Sequence, residues 1–288
     1  MQKEVTAVPD LAYYEKKVLS DRVFPVQLAV NTNAECREIF ASHWHEHIEM
    51  HYVTSGGAVF HIDQQLYHLQ AGDLIIANSG EIHAGYSTQV PYEAWLLVFE
   101  PEAVAPGLLE RNARFCSLIR GDETVHQLIA RMMEETGRQA EGYGYLCRAL
   151  VTELLVYLNR NYRTETLSDR SVIQRRRNLE RLAPALQYIE QHYTDRITVP
   201  QLARMLCLST DRLGHLFREG VGQAPLQYIN EIRLRKAMNL LNTGEYTVTE
   251  VAQAVGFYDY NHFGRLFRRR YGATPNQVRR GNAIPKKE

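Results

Sequence analysis

The sequence predicts an α+β protein in two parts: a strand-rich N-terminal unit followed by two amphipathic helices, then an all-helical C-terminal third. Three observations lead there. From Val26 to Phe99 short apolar runs are separated by turn residues; beyond Gly121 the apolar spacing becomes helical; and the last hundred residues repeat with a period of about fifty. At 288 residues the chain is long for a single core, which favours two domains.

Composition narrows the class. An apolar content of 45% and a charged content of 23% are ordinary for a globular protein. No run of about 18 apolar residues is present, which argues against a membrane span. The residues from Met1 to Val5 lead into no apolar core before a cleavage site, which argues against secretion. Cys36, Cys116, Cys147 and Cys207 stand far apart without a C-x-x-C pair, as expected in a reducing compartment. The expectation is a cytoplasmic protein. A formal net charge of zero hides an asymmetry: residues 175–288 carry 19 Lys+Arg against 10 Asp+Glu (+9), and residues 1–174 carry the remaining 14 against 23 (−9). A basic half joined to an acidic half points to a polyanion-binding domain beside one that avoids polyanions. Basic surfaces also merely solubilise, so charge alone leaves the two readings level.

In the N-terminal unit His47–Val53 and Ala58–Ile62 read as strands joined by a hairpin turn at Ser55-Gly56-Gly57. Asp63-Gln64-Gln65 reads as a second turn, before the strand Leu66–Leu69. Gly72-Asp73 precedes the apolar run Leu74–Ala77, and Trp95–Phe99 is a buried strand ended by Pro101. Many short strands at close spacing predict a small barrel or sandwich. Val125, Leu128, Ile129, Met132 and Met133 then recur at helical spacing, as do Leu146, Leu150, Leu154, Leu155 and Leu158. Their stripes have two candidate partners, the sheet wall or a second subunit. Residues 163–178, polar and holding Arg175-Arg176-Arg177, read as an interdomain linker. The expected divisions are an arm over 1–25 with Tyr13 and Tyr14, the strand unit over 26–120, a helical dimerisation or packing segment over 121–162, the linker, and a helical domain over 179–288.

The repeat carries the functional signal. Its first copy runs from Thr198 to Arg218 and closes at Gly222-Gln-Ala-Pro225; its second runs from Thr247 to Arg268 and closes at Gly272-Ala-Thr-Pro275. Thr198 and Thr247 suit the N-cap of a short helix, and Ser209 and Asp259 the N-cap of a second. Ala203 and Ala252 sit where two helices cross closely. Leu213, Leu216 and Phe217, and then Phe263, Leu266 and Phe267, form an inward face. Short helix, tight turn and second helix make a helix-turn-helix. The outward face offers Ser209, Thr210, Asp211, Gly214, His215 and Arg218 in the first copy. In the second it offers Tyr260, Asn261, His262, Arg265, Arg268 and Arg269, with Arg270 beyond. Arg and Asn make bidentate contacts to guanine and adenine edges, and Arg and Tyr also reach phosphates. A plain helical hairpin shows the same periodicity, but two copies in a domain of charge +9 favour double-stranded DNA as the partner.

The segment from Val255 to Arg279 (VGFYDYNHFGRLFRRRYGATPNQVR) resembles the signature of the AraC/XylS family of bacterial regulators, and the resemblance covers about Leu179 to Arg280. It implies two helix-turn-helix units joined by a long helix, here Leu226–Leu241, set to enter successive major-groove segments. Base readers would come from Asp211, Gly214 and His215, and from Tyr260, Asn261, His262 and Arg265. The first set departs from Arg/Gln/Trp-rich versions, which implies fewer specific contacts there. The resemblance also implies a homodimer, contact with RNA polymerase, and an arm that folds over an effector pocket.

His43-x-His45-x3-Glu49 precedes Gly72-x5-Asn78-x-Gly80-x2-His83. His43 and His45 share a face if they lie on a strand, and imidazoles with a carboxylate suit a borderline divalent metal. These two motifs resemble the cupin superfamily, with Asn78 where the second motif usually has proline. That resemblance implies a cupin-like β-barrel (jelly roll) over about Val26–Phe99, with His43, His45, Glu49 and His83 as ligands for Zn, Mn, Fe or Ni. It is equally compatible with a metal-free polar cluster that holds an effector or fixes strands. His47 and His51 read as solvated or packing residues. Tyr67, Tyr86, Tyr92 and Trp95 are candidates for an apolar mouth suited to a sugar ring, against the commoner fate of core packing. The leading expectation is therefore a non-enzymatic, ligand-responsive DNA-binding regulator, with a carbohydrate the first choice of effector. A metal-dependent cupin enzyme fused to a DNA-binding module is the rival, and a constitutive DNA binder the third reading. No Ser-His-Asp, P-loop or G-x-G-x-x-G pattern supports another enzyme.

Overall fold

The structure, a computed structural model, describes residues 14, 15, 17, 19, 21–110 and 112–280. Tyr13 and most of the expected arm lie outside them.

The N-terminal unit is a seven-stranded antiparallel sheet. In chain order it contains β1 (Val26–Asn33), β2 (Glu38–His43), β3 (Ile48–Ile62), β4 (Gln65–Gln70), β5 (Asp73–Ala77) and β6 (His83–Phe99); a short helix α1 (Pro101–Val104) and strand β7 (Ala113–Phe115) precede the last member, β8 (Leu118–Arg120). The order β1-β6-β3-β5-β8 is open, and β2 and β4 join β6 and β3. Two long strands, β3 and β6, pair along their lengths and carry everything else.

Ser55–Gly57 is not a hairpin turn, contrary to the sequence expectation. β3 continues through it, with register shifts against β6 between Val53 and Ala58. Gly56 has φ +71°, and a Cβ there would lie 2.6 Å from the Pro91 carbonyl oxygen. The glycines let β3 bulge and bend against the β6 backbone, so a turn-like sequence marks a bend inside one strand. The expected second turn is real but shorter: Asp63 and Gln64 connect β3 to β4, and Gln65 already pairs with Ile62.

The bulge changes which side chains face inward. Before it, Ile48, Met50 and Tyr52 pack with α2 (Glu123–Arg138) and α3 (Tyr143–Asn161). Glu49, His51 and Val53 take the opposite face. After it, Ala58, Phe60 and Ile62 join Val53 in an inner core with Leu69, Ile75 and Tyr92, so His61 points outward. The helical stripes on α2 and α3 find their partner in the sheet: Val125, Leu128, Ile129, Met132, Leu150, Leu154, Leu155 and Leu158 are buried against it. Leu146 leaves the expected stripe and is exposed.

Residues 163–178 are no extended connector. They form β9 (Arg163–Thr166), paired with β7, and the start of a long helix α4 (Asp169–His192) capped by the Ser168 hydroxyl. The polar pattern misleads because the first turns of α4 are largely exposed.

The C-terminal domain continues with α5 (Val199–Met205), α6 (Thr210–Val221), α7 (Pro225–Thr243), α8 (Val248–Ala254), α9 (Tyr260–Tyr271) and α10 (Pro275–Arg279). It has two cores. Tyr228, Ile229 and Ile232 of α7 share the first with α4, α5 and α6; Leu234, Ala237, Met238 and Leu241 share the second with α8, α9 and α10. Phe217, Phe263 and Phe267 are fully buried, each stabilising its unit by about 1.5–3 kcal/mol. Trp44 and Ile82 of the sheet unit belong to the first of these cores, so the two units are packed together.

Matching turns of the repeat reach a left-handed conformation with different residues. Gly256 (φ +85°) sits where a Cβ would meet the Thr194 carbonyl oxygen at 2.7 Å, whereas the equivalent position in the first copy is Cys207 (φ +54°). Gly256→Ala is expected to cost more than about 1 kcal/mol, because strain and clash add. Cys207→Gly should be neutral or stabilising by up to about 1 kcal/mol, as relieved strain opposes extra freedom in the unfolded chain. Thermal unfolding of both variants checks this; equal losses would contradict it.

Candidate DNA interface and histidine cluster

Each repeat builds the same scaffold from its caps upward. The Thr198 hydroxyl accepts from Gln201 N and the Ser209 hydroxyl from Arg212 N. Thr247 and Glu250 form a capping box, and Asp259 accepts from the amides of Asn261 and His262 at 2.8 and 3.1 Å. Those two backbone bonds, led by His262, hold the Asp259 carboxyl below its usual range. The turns match as well: Leu208 N donates to Ala203 O at 2.8 Å and Phe257 N to Ala252 O at 2.9 Å. Both alanines are buried where the helices cross.

This scaffold leaves the outward faces open. Ser209, Thr210, Asp211, His215 and Arg218 are exposed around a half-buried Gly214. In the second copy Tyr260, Asn261, His262, Arg265, Arg268 and Arg269 are exposed. The geometry therefore gathers each set on one helix surface. Arg270 does not belong with them. It turns toward the sheet, donating to Glu231 Oε1 at 2.8 Å and Gln64 O at 3.2 Å, with His61 Nδ1 at 2.8 Å. Arg280 and Asn276, which the sequence reading passed over, form a notch with Arg268 and Thr274 beside α9. Their signal was the polar run after the second copy.

In the sheet unit, ligand atoms of His43, His45, Glu49 and His83 all lie within 4.8 Å of one another. β2 ends at His43, so His45 is not on the same strand; it reaches the cluster from the bend that follows. Glu49 is buried at the centre, with His45 Nε2 at 3.1 Å, His51 Nε2 at 2.8 Å and His83 Nε2 at 3.6 Å. His51, read from sequence as peripheral, is thus a full member; its i+2 spacing from Glu49 was the available clue. Burial raises the Glu49 pKa, but the bonds to His45, His51 and His83 outweigh it and hold the carboxyl well below the usual range. Burial pushes His45 and His51 toward the neutral ring.

The other ring nitrogens are fixed by backbone. His43 Nδ1 faces Ala41 O at 2.9 Å, His45 Nδ1 faces His47 O at 3.1 Å, and His83 Nδ1 faces Glu81 O at 2.8 Å. Carbonyls accept only, so each Nδ1 carries a proton and each Nε2 is aimed at the centre. This is how metal-ligating histidines are oriented. The donor set therefore fits a borderline divalent ion. Two residues before the sheet also reach the cluster: Glu15 Oε2 lies 3.0 Å from His43 Nε2, and Lys17 Nζ lies 3.8 Å from Glu49 Oε2. Asn78, at the usual proline position, is buried and ties the β5–β6 turn to β7, exchanging hydrogen bonds with Phe115 N and O at 2.8 and 3.1 Å.

The aromatic candidates do not share a mouth. Tyr92 is in the inner core, Trp95 packs toward α2 and α3, and Tyr86 faces the C-terminal domain, donating to Glu38 at 2.7 Å. Tyr67 lies at the edge of the inner core.

The outer face of β2, β3, β4 and β6 docks on α4, α7 and α9. Lys236 pairs with Glu38 at 3.3 Å, Arg175 with Asp63 at 2.5 Å, and Gln64 donates to Gly222 O at 2.5 Å. His61 is buried against Glu231 at 3.0 Å. A cleft of about 300 Å³ opens at this seam between Asp63 and Gln64 on one side and Gln223, Asn230, Leu266 and Arg269 on the other.

Known proteins share both parts. Residues 34–155 match the family described as the AraC-like ligand binding domain, and residues 202–281 the family described as a helix-turn-helix domain. The HTH-type transcriptional activator RhaS of Enterobacter sp. (strain 638) is 26% identical over 253 residues, covering 84% of this chain and 88% of that one. RhaS of Escherichia coli O9:H4 (strain HS) is 31% identical over 159 residues, 55% of this chain and 54% of that one. Among solved structures, ToxT from Vibrio cholerae with a bound unsaturated fatty acid aligns at a TM-score of 0.40 and 13% identity over 88% of this chain and 94% of that chain, too loosely to compare sites.

Substitutions on α9 separate reading from anchoring. Asn261→Ala and Arg265→Ala are each expected to cost about 1–3 kcal/mol on a preferred duplex and little on random DNA. Arg268→Ala should weaken both alike and reduce the salt slope by about one. Fluorescence anisotropy across a salt series distinguishes them; uniform losses for all three would refute the assignment.

Proposed function

This chain belongs to the AraC family of transcription regulators, and from that premise we propose that α6 and α9 read double-stranded DNA while the sheet unit and its seam with α7 take the effector. It is a ligand-responsive, sequence-specific DNA-binding regulator. The observation that carries the finer reading is the exposure of both outward helix faces on a domain whose connecting helix, α7, is gripped by the sheet. Asn261 and Arg265 are the principal base readers, supported by Tyr260 and His262; Thr210, Asp211 and His215 contribute in the first copy. An effector that favours one arrangement of sheet and α7 shifts the population of DNA-competent molecules.

The effector we expect is an uncharged, polyhydroxylated molecule such as a sugar. Its support is the seam cleft, where Asp63 and Glu231 balance Arg269 and Arg270 in formal charge, with carboxamides between them and Leu234 and Leu266 as an apolar floor. His43, His45, Glu49 and His83 would hold a divalent ion, which would supply a fixed positive charge at the buried carboxylate. Activation through RNA polymerase and a cytoplasmic setting follow from the same reading. So does a homodimer, for which α3 offers exposed Tyr145 and Leu146. No helix of the described residues is long and apolar enough to cross a membrane.

Selection of duplexes from a random library by the full chain, followed by titration with free aldopentoses and aldohexoses, tests the proposal. Enrichment of one sequence and a sugar-dependent change in its affinity are expected. Absence of any preferred duplex would sink it.

The seam is also pH-dependent. Burial pushes His61 down to about 4 from 6.5, while Glu231, raised by burial but lowered more by His61 and nearby arginines, sits at about 2. An unfolded imidazole takes a proton below about 6.5 and the buried ring only near 4, so this stability is complete above that window and is lost as pH falls through it, by up to about 3 kcal/mol. His45 and His51, also depressed by burial, act in the same direction. His61→Gln should therefore flatten, without abolishing, the fall in thermal midpoint between neutral pH and pH 5; an unchanged slope would exclude His61 as a contributor.

A further inference from the structure

We propose that a divalent metal ion competes with Tyr14, Glu15 and Lys17 for the histidine cluster, so that metal binding reaches the DNA-binding domain by displacing these residues. The inference rests on the reading of the chain as a regulator and adds an inorganic input, distinct from any effector in the seam.

The competition follows from shared atoms. The metal needs the Nε2 lone pair of His43, and Glu15 Oε2 faces that same nitrogen at 3.0 Å. One nitrogen does not donate a proton to Glu15 and a lone pair to a metal at once. The metal also needs Glu49, and the Lys17 ammonium stands 3.8 Å from Glu49 Oε2 while pairing with Glu15 at 3.0 Å. Lys17 is half-buried and so poorly screened. It supplies the cation that a buried carboxylate requires, and a dication placed among the four ligands would repel it. Histidine orientation does not change between the two states, because Ala41, His47 and Glu81 carbonyls fix the Nδ1 side. The cluster is thus preorganised for an exchange of one cation for another.

The same residues touch the C-terminal domain. The Tyr14 ring lies 4.8 Å from that of Trp44, whose side chain is buried in the core around α4 and α6. The Tyr14 hydroxyl donates to Glu46 Oε2 at 2.7 Å, and Glu46 pairs with Arg176 of α4 at 3.1 Å. Displacement of Lys17 and Glu15 pulls on Tyr14, uncovers Trp44 and leaves Glu46 with Arg176 alone. Metal at the cluster and the setting of α4, the first helix of the DNA-binding domain, are then linked.

The test uses the full chain carrying Trp95→Phe, which leaves Trp44 as the reporting indole, titrated with Zn²⁺ and with Ni²⁺ against a chromophoric chelator. Stoichiometric binding that disappears in His45→Ala and in His83→Ala is expected, together with a shift in Trp44 emission. Lys17→Met should bind metal at least about tenfold more tightly, because a like charge has been removed, and should blunt the emission shift. Glu15→Gln should tighten binding in the same direction. Absence of metal binding overturns the proposal, as does equal affinity in Lys17→Met. Weaker binding in Glu15→Gln also overturns it, since Glu15 would then be a ligand. Each of these outcomes leaves DNA selection by α6 and α9 untouched, so failure here is distinguishable from failure of the regulator reading.

Discussion

The bend of β3 against β6 at Gly56 is the constraint on which the molecule depends. A straight 15-residue strand presents two faces; the bulge between Val53 and Ala58 lets this one present three environments. Met50 and Tyr52 seal α2 and α3 onto the outside. Glu49 and His51 enter the interior with Phe60, and His61 beyond the bend faces α7. One strand thereby joins the histidine cluster to the docking seam, and a side chain with a Cβ at Gly56 would collide with the β6 backbone. The histidine cluster and the docking seam need no long pathway between them, because both hang on the same two strands.

The interior cluster obeys a different rule. A carboxylate as buried as Glu49 is stable only with partners that deliver positive charge or hydrogen bonds. His51 Nε2 contributes a hydrogen bond at 2.8 Å and Lys17 the charge. Neutral rings with Nδ1–H tied to carbonyls would present lone pairs to Glu49, an unfavourable arrangement unless a cation lies near. That requirement explains why a lysine from outside the sheet is drawn in, and a metal ion in its place would meet the same requirement.

The C-terminal domain was legible in detail because its signals are local. Caps, the Ala203 and Ala252 crossings, and the inward phenylalanines all lie within one repeat, and the structure places them as read. The sheet was less legible. Glycines at 56 and 57 look like a turn because local sequence does not distinguish a hairpin from a bulge; the difference lies in Gln89–Tyr92, more than thirty residues away. The four-residue histidine–glutamate set was visible from motif spacing, whereas His51, Glu15 and Lys17 were not, since their membership depends on which strand faces them. Arg270 illustrates the same limit: helical position suggests DNA, but tertiary packing gives it to Glu231.

The charge asymmetry gains a second meaning from the docked arrangement. An acidic sheet unit of −9 against a helical domain of +9 suits DNA binding, but it also suits the two units binding each other. Glu38, Glu46 and Asp63 take Lys236, Arg176 and Arg175, cations of the domain that would otherwise add to its attraction for phosphate. The sheet unit is therefore an internal polyanion as well as a sensor. Because exposed pairs weaken with salt as phosphate contacts do, docking and DNA binding respond to ionic strength together, and the balance between them is set by groups that salt screens least. Those are the buried ones: His61 with Glu231 at the seam, and Glu49 with its histidines. A ligand that acts at either place bears on the balance where screening does not reach.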